Sequence, residues 1–546
     1  MPKVTINGIE IEAEKGMTII QAADAAGLNE LKIPRFCYHP DLPIDGNCRM
    51  CLVEVEKMPK LVIACNTPVT DGMVVHTSND RVKEASRGVL EFLLINHPVD
   101  CPICDQAGEC WLQDYYMKHG LYQSRIELGE KIRKHKAVDL GPMVVLDSER
   151  CVHCSRCVRF CEVVTGTGEM QFFNRGGHVE IGTVENRPVL NPYSGNIVDV
   201  CPVGALTSRD FRFQSRVWFL KYTDSVCNGC STGCNVRVDH RQNTVFRLVP
   251  RRNVQVNKSW MCDEGRLSFH TLQNSERLLA AQVKGSDGRL AESDFVAALN
   301  LMHQGLAETV IKHGAAAVVG YGSAGATNES LYLMKRYLSE KHGVSQFEFR
   351  LEDEDQQVEA REDDILRRVD KRSNTQGALL LGYGSDQLKG IRGAAEAARA
   401  GRLRGAVIIY HPKLVRELPA EAFDALKQFV AALEFSAVLT PVREPWQDSA
   451  TVLLPIGSWG EEEGTYTNFA RAVQRGGRAW APLGQAREAR EVFAELLELV
   501  RPGYHVTQAQ EVFAELAGRV PAYAGLTYQG LESNKAKVPP PEGRHW

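Results

Sequence analysis

Cysteine is the residue type in this sequence whose number and spacing point to chemistry. The chain contains 16 cysteines, which all lie between Cys37 and Cys262 and fall into four groups. A secreted disulfide scaffold is short and rich in cysteine throughout, whereas this chain has 546 residues and no cysteine after Cys262. Grouped thiolates in a long chain are typical of metal centres.

The first group consists of Cys37, Cys48, Cys51 and Cys65. Four thiolates can ligate a [2Fe–2S] cluster, because each of its two irons needs two protein ligands. Zinc is the alternative, since a tetrahedral zinc site also takes four thiolates. A predicted β-grasp context and Gly46, whose neighbouring N–H groups can hydrogen-bond to cluster sulfur, favour the iron–sulfur cluster.

The second group combines His97 with Cys101, Cys104 and Cys110. Three thiolates leave one iron of a [4Fe–4S] cubane without a protein sulfur ligand. A lone histidine is more often structural, but His97 lies one helical turn before Cys101, and the missing ligand makes it the predicted fourth donor. Imidazole is less negative than thiolate, so we expect it to favour the reduced cluster.

The third group follows the spacing of a bacterial ferredoxin and is completed by a distant Cys-Pro pair. Its cysteines are Cys151, Cys154, Cys157, Cys161 and Cys201. In a two-cluster ferredoxin the fourth cysteine of such a run binds the second cluster. The other three positions of that second cluster hold Asn191, Ser194 and Ile197. One [4Fe–4S] cluster is therefore predicted, and Cys161 is left as a small apolar residue. The predicted ligands are Cys151, Cys154, Cys157 and Cys201.

The fourth group supplies four thiolates for a further cubane, and its members are Cys227, Cys230, Cys234 and Cys262. Together the groups predict one [2Fe–2S] cluster and three [4Fe–4S] clusters. No catalytic residue is predicted, because we find no triad or paired carboxylates. The net charge of -4 gives no reason to expect nucleic acid as a partner, and no apolar run approaches the length of a membrane helix.

The predicted elements indicate several domains. An Asn7-Gly8 hairpin and a helix over Thr18–Ala26 favour a β-grasp ferredoxin, and helical spacing and turn-rich cysteine segments follow. Beyond them, buried strands alternate with helices, which predicts a parallel, doubly wound α/β domain. The strands are predicted at Ala315–Val319, Ala378–Leu381, Ala406–Tyr410, Ala437–Leu439 and Thr451–Leu454, with an exposed helix at Glu352–Arg372 and an extended tail at Lys535–Pro541.

A glycine-rich segment, Gly320-Tyr321-Gly322-Ser323-Ala324-Gly325, follows one of these strands and matches the dinucleotide fingerprint. The acidic partner expected about 20 residues later is not clearly placed, although Glu348 lies near that position. A tight turn in an α/β fold is therefore favoured over nucleotide binding.

The chain resembles the large iron–sulfur subunit of the peripheral arm of respiratory complex I, the NADH:quinone oxidoreductase. The order of the four cysteine groups carries this resemblance, and the region beyond them is similar to the pterin-binding domains of molybdenum and tungsten oxidoreductases. The supporting motifs are Gly46-Asn47-Cys48-Arg49-Met50-Cys51-Leu52-Val53-Glu54-Val55, Asp100-Cys101-Pro102-Ile103-Cys104-Asp105-Gln106-Ala107-Gly108-Glu109-Cys110, Asp199-Val200-Cys201-Pro202-Val203-Gly204-Ala205-Leu206 and, for the pterin domains, Gly464-Thr465-Tyr466-Thr467-Asn468.

The resemblance implies a multidomain fold of α+β and α/β type. The expected domains are a β-grasp [2Fe–2S] domain (1–78), a helical segment whose [4Fe–4S] cluster is held by one histidine and three cysteines (79–140), a ferredoxin-like [4Fe–4S] domain (141–215), a [4Fe–4S] domain of molybdopterin-oxidoreductase type (216–275), a degenerate molybdopterin-oxidoreductase-like α/β domain (276–505) and a partly disordered C-terminal extension (506–546).

The resemblance also implies a chain that conducts electrons as a subunit of the oxidoreductase. Electrons from an NADH- and FMN-binding partner would enter at the first group, pass to the third and then the second, and leave to a ferredoxin-like two-cluster subunit near the quinone site. NADH and FMN are expected on partners, not on this chain. The complex is expected on the cytoplasmic side of the inner (plasma) membrane, which this chain would reach only through partner subunits, among them other peripheral-arm subunits.

The main alternative is a formate dehydrogenase-type catalytic subunit with a bound pterin. No cysteine remains after Cys262 to ligate its metal, and Glu264 stands where the resemblance implies a lysine between cluster and pterin. The electron-transfer subunit of an NAD-linked hydrogenase is a second alternative, but such subunits typically end before the fourth group. We therefore expect no molybdopterin on this chain.

Full ligation predicts about 14 iron atoms per chain, two in the [2Fe–2S] cluster and four in each cubane. Iron analysis with EPR on anaerobically prepared protein should approach this value, and elemental analysis should find no stoichiometric molybdenum or tungsten. A reproducible total of about 18 iron atoms would instead place another cubane at the degenerate ferredoxin site.

Overall fold

The computed structural model describes residues 1–27, 33–121, 123–351 and 359–533, and the chain divides into two compact units, Met1–Leu220 and Lys221–Trp546. The strands of the first unit are β1 (Lys3–Ile6), β2 (Ile9–Glu12), β3 (Leu52–Val55), β4 (Val62–Ile63), β5 (Met73–His76), β6 (Val138–Asp139), β7 (Val144–Leu146), β8 (Met170–Phe173), β9 (Glu180–Thr183) and β10 (Leu206–Ser208). Its helices are α1 (Ile19–Ala25), α2 (Asp80–Leu94), α3 (Trp111–His119), α4 (Arg156–Arg159) and α5 (Asn196–Val200).

The N-terminal part of this unit is a mixed sheet with strand order β2-β1-β5-β3-β4. The predicted hairpin is confirmed, because its turn is made by Asn7 (φ 50°) and Gly8 (φ 83°), which both adopt the left-handed conformation that a two-residue turn requires. The predicted first helix is also confirmed. The Thr18 hydroxyl accepts the N–H of Gln21 and so caps the N-terminus of α1.

The middle of the first unit is less helical than predicted. Helices α2 and α3 lie in the segment, but the residues between them form loops and a short 3-10 turn, Cys101–Ile103. The third cysteine group is framed by the three-stranded sheet β10-β7-β6, the β8-β9 hairpin and the short helices α4 and α5.

The second unit contains a three-stranded, a seven-stranded and a two-stranded sheet, and it holds most of the described residues in α-helices. Its strands are β11 (Lys221–Val226), β12 (Asn235–Arg241), β13 (Thr244–Pro250), β14 (Ala281–Lys284), β15 (Leu290–Ser293), β16 (Val318–Tyr321), β17 (Gln346–Glu348), β18 (Gly405–Ile409), β19 (Phe435–Thr440), β20 (Val452–Pro455), β21 (Gly464–Thr467) and β22 (Val473–Gly476). Its helices are α6 (Asp263–Asn274), α7 (Phe295–His313), α8 (Asn328–His342), α9 (Thr375–Leu380), α10 (Gly390–Arg399), α11 (Ala420–Ala431), α12 (Ala489–Val500) and α13 (Ala509–Arg519).

A seven-stranded sheet of order β15-β14-β20-β19-β18-β16-β17 organises this unit, and the strands from β20 to β17 run parallel. Alternate residues of β18 enter different cores. Val407 and Ile409 pack with residues of α8 and α12, whereas Ala406 and Ile408 pack with residues of α10 and α11. Helices therefore cover both faces, which confirms the predicted doubly wound α/β arrangement.

Two predicted elements of this unit are wrong, and one is displaced. The run Ala378–Leu381 is not a strand but belongs mostly to helix α9, because a short apolar run does not distinguish a strand from a buried helix. The described part of the predicted helix at Glu352–Arg372, residues 359–372, contains a β-bridge between Arg361 and Arg368 instead. The strand predicted at Ala315–Val319 begins at Val318, after a 3-10 turn.

Within the described ranges, no helix has both the length and the apolar composition needed to cross a bilayer. The tail predicted at Lys535–Pro541 lies outside the described residues.

Candidate metal centres

The first cysteine group lies on the loop before β3 and on the turn after β4, and its thiols meet one another. The N–H of Cys37 donates to the sulfur of Cys48 over 3.4 Å, and hydrogen bonds also join the thiols of Cys37 and Cys65 and those of Cys51 and Cys65. Hydrogen bonds from Cys48 and Cys65 hold the pKa of Cys37 far below its ordinary value. The N–H of Gly46 also donates to the sulfur of Cys37.

The three cysteines of the second group lie on the loop between α2 and α3. Cys101 begins the 3-10 turn, and Cys110 immediately precedes α3. Burial raises the pKa of Cys110 to about 11, and the nearby thiols of Cys104 and Cys101 add to that rise. A Cβ at Gly204, which follows the third group, would overlap the sulfur of Cys104, so the chain passes this thiol more closely than any larger residue allows.

The imidazole of His97 is in the form that can bind a metal. Burial lowers the pKa of His97 to about 4, so the ring is neutral at pH 7. The N–H of Val99 donates to Nδ1 over 3.1 Å, which leaves Nε2 as the nitrogen available to a metal. The charge of Arg150 acts on both His97 and Cys104, so the histidine and this thiol share a neighbourhood.

The third group lines a cavity. The thiol-bearing residues that line it are Cys151, Cys154, Cys157 and Cys201. Cys161 is not among the lining residues and has no exposed surface. The cavity therefore has the four donors predicted for one cubane and leaves the fifth cysteine outside.

Asn191, one of the three residues predicted to replace ligands of a second cluster, takes part in protein hydrogen bonds. Glu169 accepts the side-chain N–H of Asn191 at 2.5 Å and the backbone N–H of Leu190 at 2.8 Å. Burial raises the pKa of Cys161 to about 12, and the nearby carboxylate of Glu169 adds to that rise. Cys161 is therefore a fully buried thiol beside a hydrogen-bonded carboxylate.

The fourth group lines a second cavity, in the other unit. Its four thiols, those of Cys227, Cys230, Cys234 and Cys262, line this cavity. Cys262 precedes α6, and its sulfur accepts the N–H of Gly265 over 3.3 Å. A Cβ on Gly265 would lie 3.1 Å from the sulfur of Cys227 and 3.3 Å from that of Cys262, so glycine gives the two thiols room to converge.

Lys371 is a residue at the fourth group that sequence reasoning missed. It is 3 % exposed, and its Nζ lies 3.1 Å from a carboxylate oxygen of Glu264 and 2.6 Å from one of Glu362. Its charge opposes the rise that burial causes in the pKa of Cys227. The only feature of the sequence that points to Lys371 is the run of charged residues at Glu352–Arg372, and that run predicts an exposed helix instead.

The third group contacts the polypeptide around both other groups of its unit. Toward the first group, Arg159 donates to the carbonyl oxygen of Cys37 at 2.5 Å. Toward the second group, Arg150 pairs with Asp100 at 2.7 Å, and these residues directly precede Cys151 and Cys101. Helix α3 also reaches the loop of the first group, because the rings of Tyr115 and Phe36 pack edge to face 5.2 Å apart.

The glycine-rich match to a dinucleotide fingerprint covers the end of β16, with Gly320 and Tyr321, and the start of the turn before α8. The nearby carboxylate of Glu348 pairs with Arg350 at 2.6 Å and accepts the N–H of Gly390 at 3.0 Å. Both contacts hold Glu348 within the fold, which supports the interpretation of this segment as a turn.

Four family models match successive parts of the chain. They are a 2Fe-2S iron-sulfur cluster binding domain (residues 2–80), the NADH-ubiquinone oxidoreductase-G iron-sulfur binding region (87–125), the ferredoxin-like domain of NADH-quinone oxidoreductase subunit 3 (141–207) and the 4Fe-4S domain described as NADH-ubiquinone oxidoreductase NDSU1/NuoG-like (220–270). Each matched segment contains one of the four cysteine groups.

Curated relatives carry related names. The chain is 40% identical over 376 residues to the NADH-ubiquinone oxidoreductase 75 kDa subunit of Reclinomonas americana (68% of this chain and 53% of that protein). It is 44% identical over 313 residues to the mitochondrial NADH dehydrogenase [ubiquinone] iron-sulfur protein 1 of Solanum tuberosum (57% and 42%). The chain thus spans about half the length of these relatives.

Among solved structures, a chain of an NAD+-reducing [NiFe]-hydrogenase aligns at 28% identity with a TM-score of 0.36, over 40% of this chain and 91% of that one. The resemblance predicted from the motifs is confirmed by the names of the curated relatives and by the domains of the family models.

The structure predicts different outcomes for two neighbouring buried cysteines. Cys161→Ser should leave every cluster signal in place and cost roughly 1–3 kcal/mol of stability, because it puts a hydroxyl into an apolar site. Cys157→Ser, a matched change at a cavity-lining position, should remove about four iron atoms per chain. The two variants, purified anaerobically, are compared by iron analysis, EPR and thermal unfolding. Loss of a cluster from Cys161→Ser would refute the prediction that Cys161 is not a ligand.

Proposed function

We propose that this chain, which resembles the iron–sulfur subunits of NADH-quinone oxidoreductases, carries electrons within such a complex through one [2Fe–2S] and three [4Fe–4S] clusters. The observation that carries the proposal is the packing of three cysteine groups in one unit, with the third group in contact with the polypeptide around the other two. When bound, iron–sulfur clusters accept and release single electrons. The chain itself supplies the ligands, the dry surroundings and the hydrogen bonds to sulfur.

Backbone N–H groups at the thiols support this role. The N–H of His153 reaches the sulfur of Cys151 over 3.4 Å, and the N–H groups of Val203 and Leu206 reach that of Cys201. Such donors stabilise negative charge on sulfur, and an added electron increases that charge. They therefore raise the reduction potential of a cluster held there.

The partners follow from the proposed complex. We place NADH and FMN on a partner subunit that delivers electrons to the first group, and a ferredoxin-like two-cluster subunit beyond the second group, on the way to quinone. Other peripheral-arm subunits would complete the assembly and connect this chain to the cytoplasmic side of the membrane. His97, through Nε2, and the 15 cysteines outside position 161 would be the cluster ligands.

The α/β unit is proposed to be a degenerate molybdopterin-oxidoreductase-like domain that binds no pterin. Two residues of the motif that resembles the pterin domains already have protein partners. Thr465 donates from its hydroxyl to Glu329 at 2.9 Å, and Thr467 receives the side-chain N–H of Asn328 at 3.0 Å. A Cβ at Gly464 would lie 2.6 Å from a carboxylate oxygen of Glu329, so the fold itself fills the space beside this segment.

Affinity purification of the tagged full-length chain from its native cells, under anaerobic conditions, tests the proposed function. We expect a flavin-containing partner to co-purify and NADH to reduce the iron–sulfur signals seen by EPR. A colourless chain that contains zinc in place of iron would contradict the proposal, as would clusters that formate reduces in the isolated chain.

We also propose that the fourth group is structural and lies off the electron route, because no pterin is expected to receive electrons from it. Its cluster would tie Cys262 to the turn at Cys227 and so fix the start of the α/β unit, and such closed metal sites contribute several kcal/mol to folding. Cys230→Ala should therefore lower the yield of assembled complex, whereas turnover per flavin in the assembled fraction should stay near normal.

Cys157→Ser is the matched control on the proposed route, and it should abolish NADH-to-quinone turnover in any complex that assembles. If assembled Cys230→Ala complex kept its other clusters but lost that turnover, the fourth group would belong to the route.

A further inference from the structure

One buried arginine contacts the polypeptide around all three cysteine groups of the first unit. Arg156, in α4, is 2 % exposed. Its Nη2 donates to the carbonyl oxygen of Tyr38 at 2.5 Å, and its Nη1 donates to that of Val200 at 3.1 Å. Its guanidinium carbon lies 4.5 Å from the centroid of the Trp111 ring. These three neighbours directly follow or precede a cysteine of the first, third and second group respectively.

Arg156 also lies at the cavity of the third group. Arg156 is among the residues around the cavity that the thiols of Cys151, Cys154, Cys157 and Cys201 enclose. Its backbone N–H reaches the sulfur of Cys154. Its side-chain Nε is buried and has no hydrogen-bond acceptor among the described residues. A buried N–H donor without an acceptor is costly, so an acceptor that occupies the cavity would remove a penalty that the protein alone leaves standing.

The positive charge of Arg156 also needs a partner that the part of the chain described by the structure does not provide. A guanidinium stays protonated in proteins, and a buried cation is unfavourable unless an anion compensates it. Among the described residues, no carboxylate forms an ion pair with Arg156, whose side-chain partners are carbonyl oxygens and an aromatic ring. Four thiolates around an iron–sulfur core would be the missing negative charge.

We propose that Arg156 positions the loops of the three cysteine groups and sets the reduction potential of the cluster on the third group, with its Nε–H donating to a sulfur of that cluster. This inference rests on the proposed function, since it needs the cluster to be bound. A fixed buried cation stabilises the more negative, reduced state, so it raises the potential of that cluster relative to a site without it.

Two substitutions of Arg156 separate its charge from its shape. Arg156→Gln removes the charge and should shift the potential of the third-group cluster to more negative values, with partial loss of the [2Fe–2S] signal as the contact with Tyr38 is lost. Arg156→Lys keeps the charge and should stay closer to the wild-type potential. Iron analysis and EPR-monitored redox titration of the anaerobically purified full-length chain measure both effects.

Arg159→Gln is the matched control, because Arg159 is 8 % exposed and bonds to the same loop of the first group but does not line the cavity. Arg159→Gln should reduce the occupancy of the [2Fe–2S] cluster. It should shift the reduction potential of the third-group cubane less than Arg156→Gln does. A wild-type potential in iron-replete Arg156→Gln, or an equal shift in the Arg159→Gln control, would overturn the inference while the proposed function stands.

If Arg156→Gln loses the third-group cluster, the Arg156→Lys variant provides the test of the inference. Full iron with a near-wild-type potential supports the inference, and full iron with a strongly lowered potential overturns it. A wild-type chain that binds no iron would overturn both the inference and the proposed function.

Discussion

The convergence of four cysteine side chains on one small volume constrains the rest of this structure. Burial disfavours the charged form of each thiol, and neighbouring thiolates would repel one another, so the loops that carry them need compensating contacts. Those loops bend sharply. Arg49 in the first group, Val99 in the second, and His153 and Ser155 in the third all have φ between 51° and 61°, a conformation that side chains seldom adopt. Strain of this kind persists where surrounding contacts fix the backbone.

The two units provide those contacts in different ways. In the first unit, Arg156 and Arg159 extend from the third group to carbonyl oxygens of the first, so side chains lock the loops to one another. In the second unit, the thiols are anchored to regular elements, with β11 and β12 on either side of the first three and α6 immediately after the last. Lys371 closes that site through ion pairs with two glutamates. The first arrangement fixes three cysteine groups relative to one another, whereas the second holds one group on the regular elements that flank it.

Much of the fold follows from local sequence patterns. The Asn7-Gly8 turn needs two left-handed residues, and the strands β18 and β19 lie where continuous apolar runs predict them, because strands of a sheet covered on both faces are apolar throughout. The secondary structure of Ala378–Leu381 cannot be assigned from local sequence, because its composition fits either a buried strand or a buried helix. The residues that pack with it are distant in sequence. The charge run that contains Lys371 also misleads, because its ionic partners include Glu264, which is remote in the chain.

The sequence by itself determined which side chains are candidate donors, because residue types and short spacings are read directly from it. It therefore predicted both the thiols that line the two cavities and the exclusion of Cys161. Only the tertiary structure decided which cations lie beside those thiols. Arg156 contacts residues that are 44 and 118 positions away, and no local pattern encodes such contacts. They arise when elements pack, and the packing sets the burial and charge that surround each site.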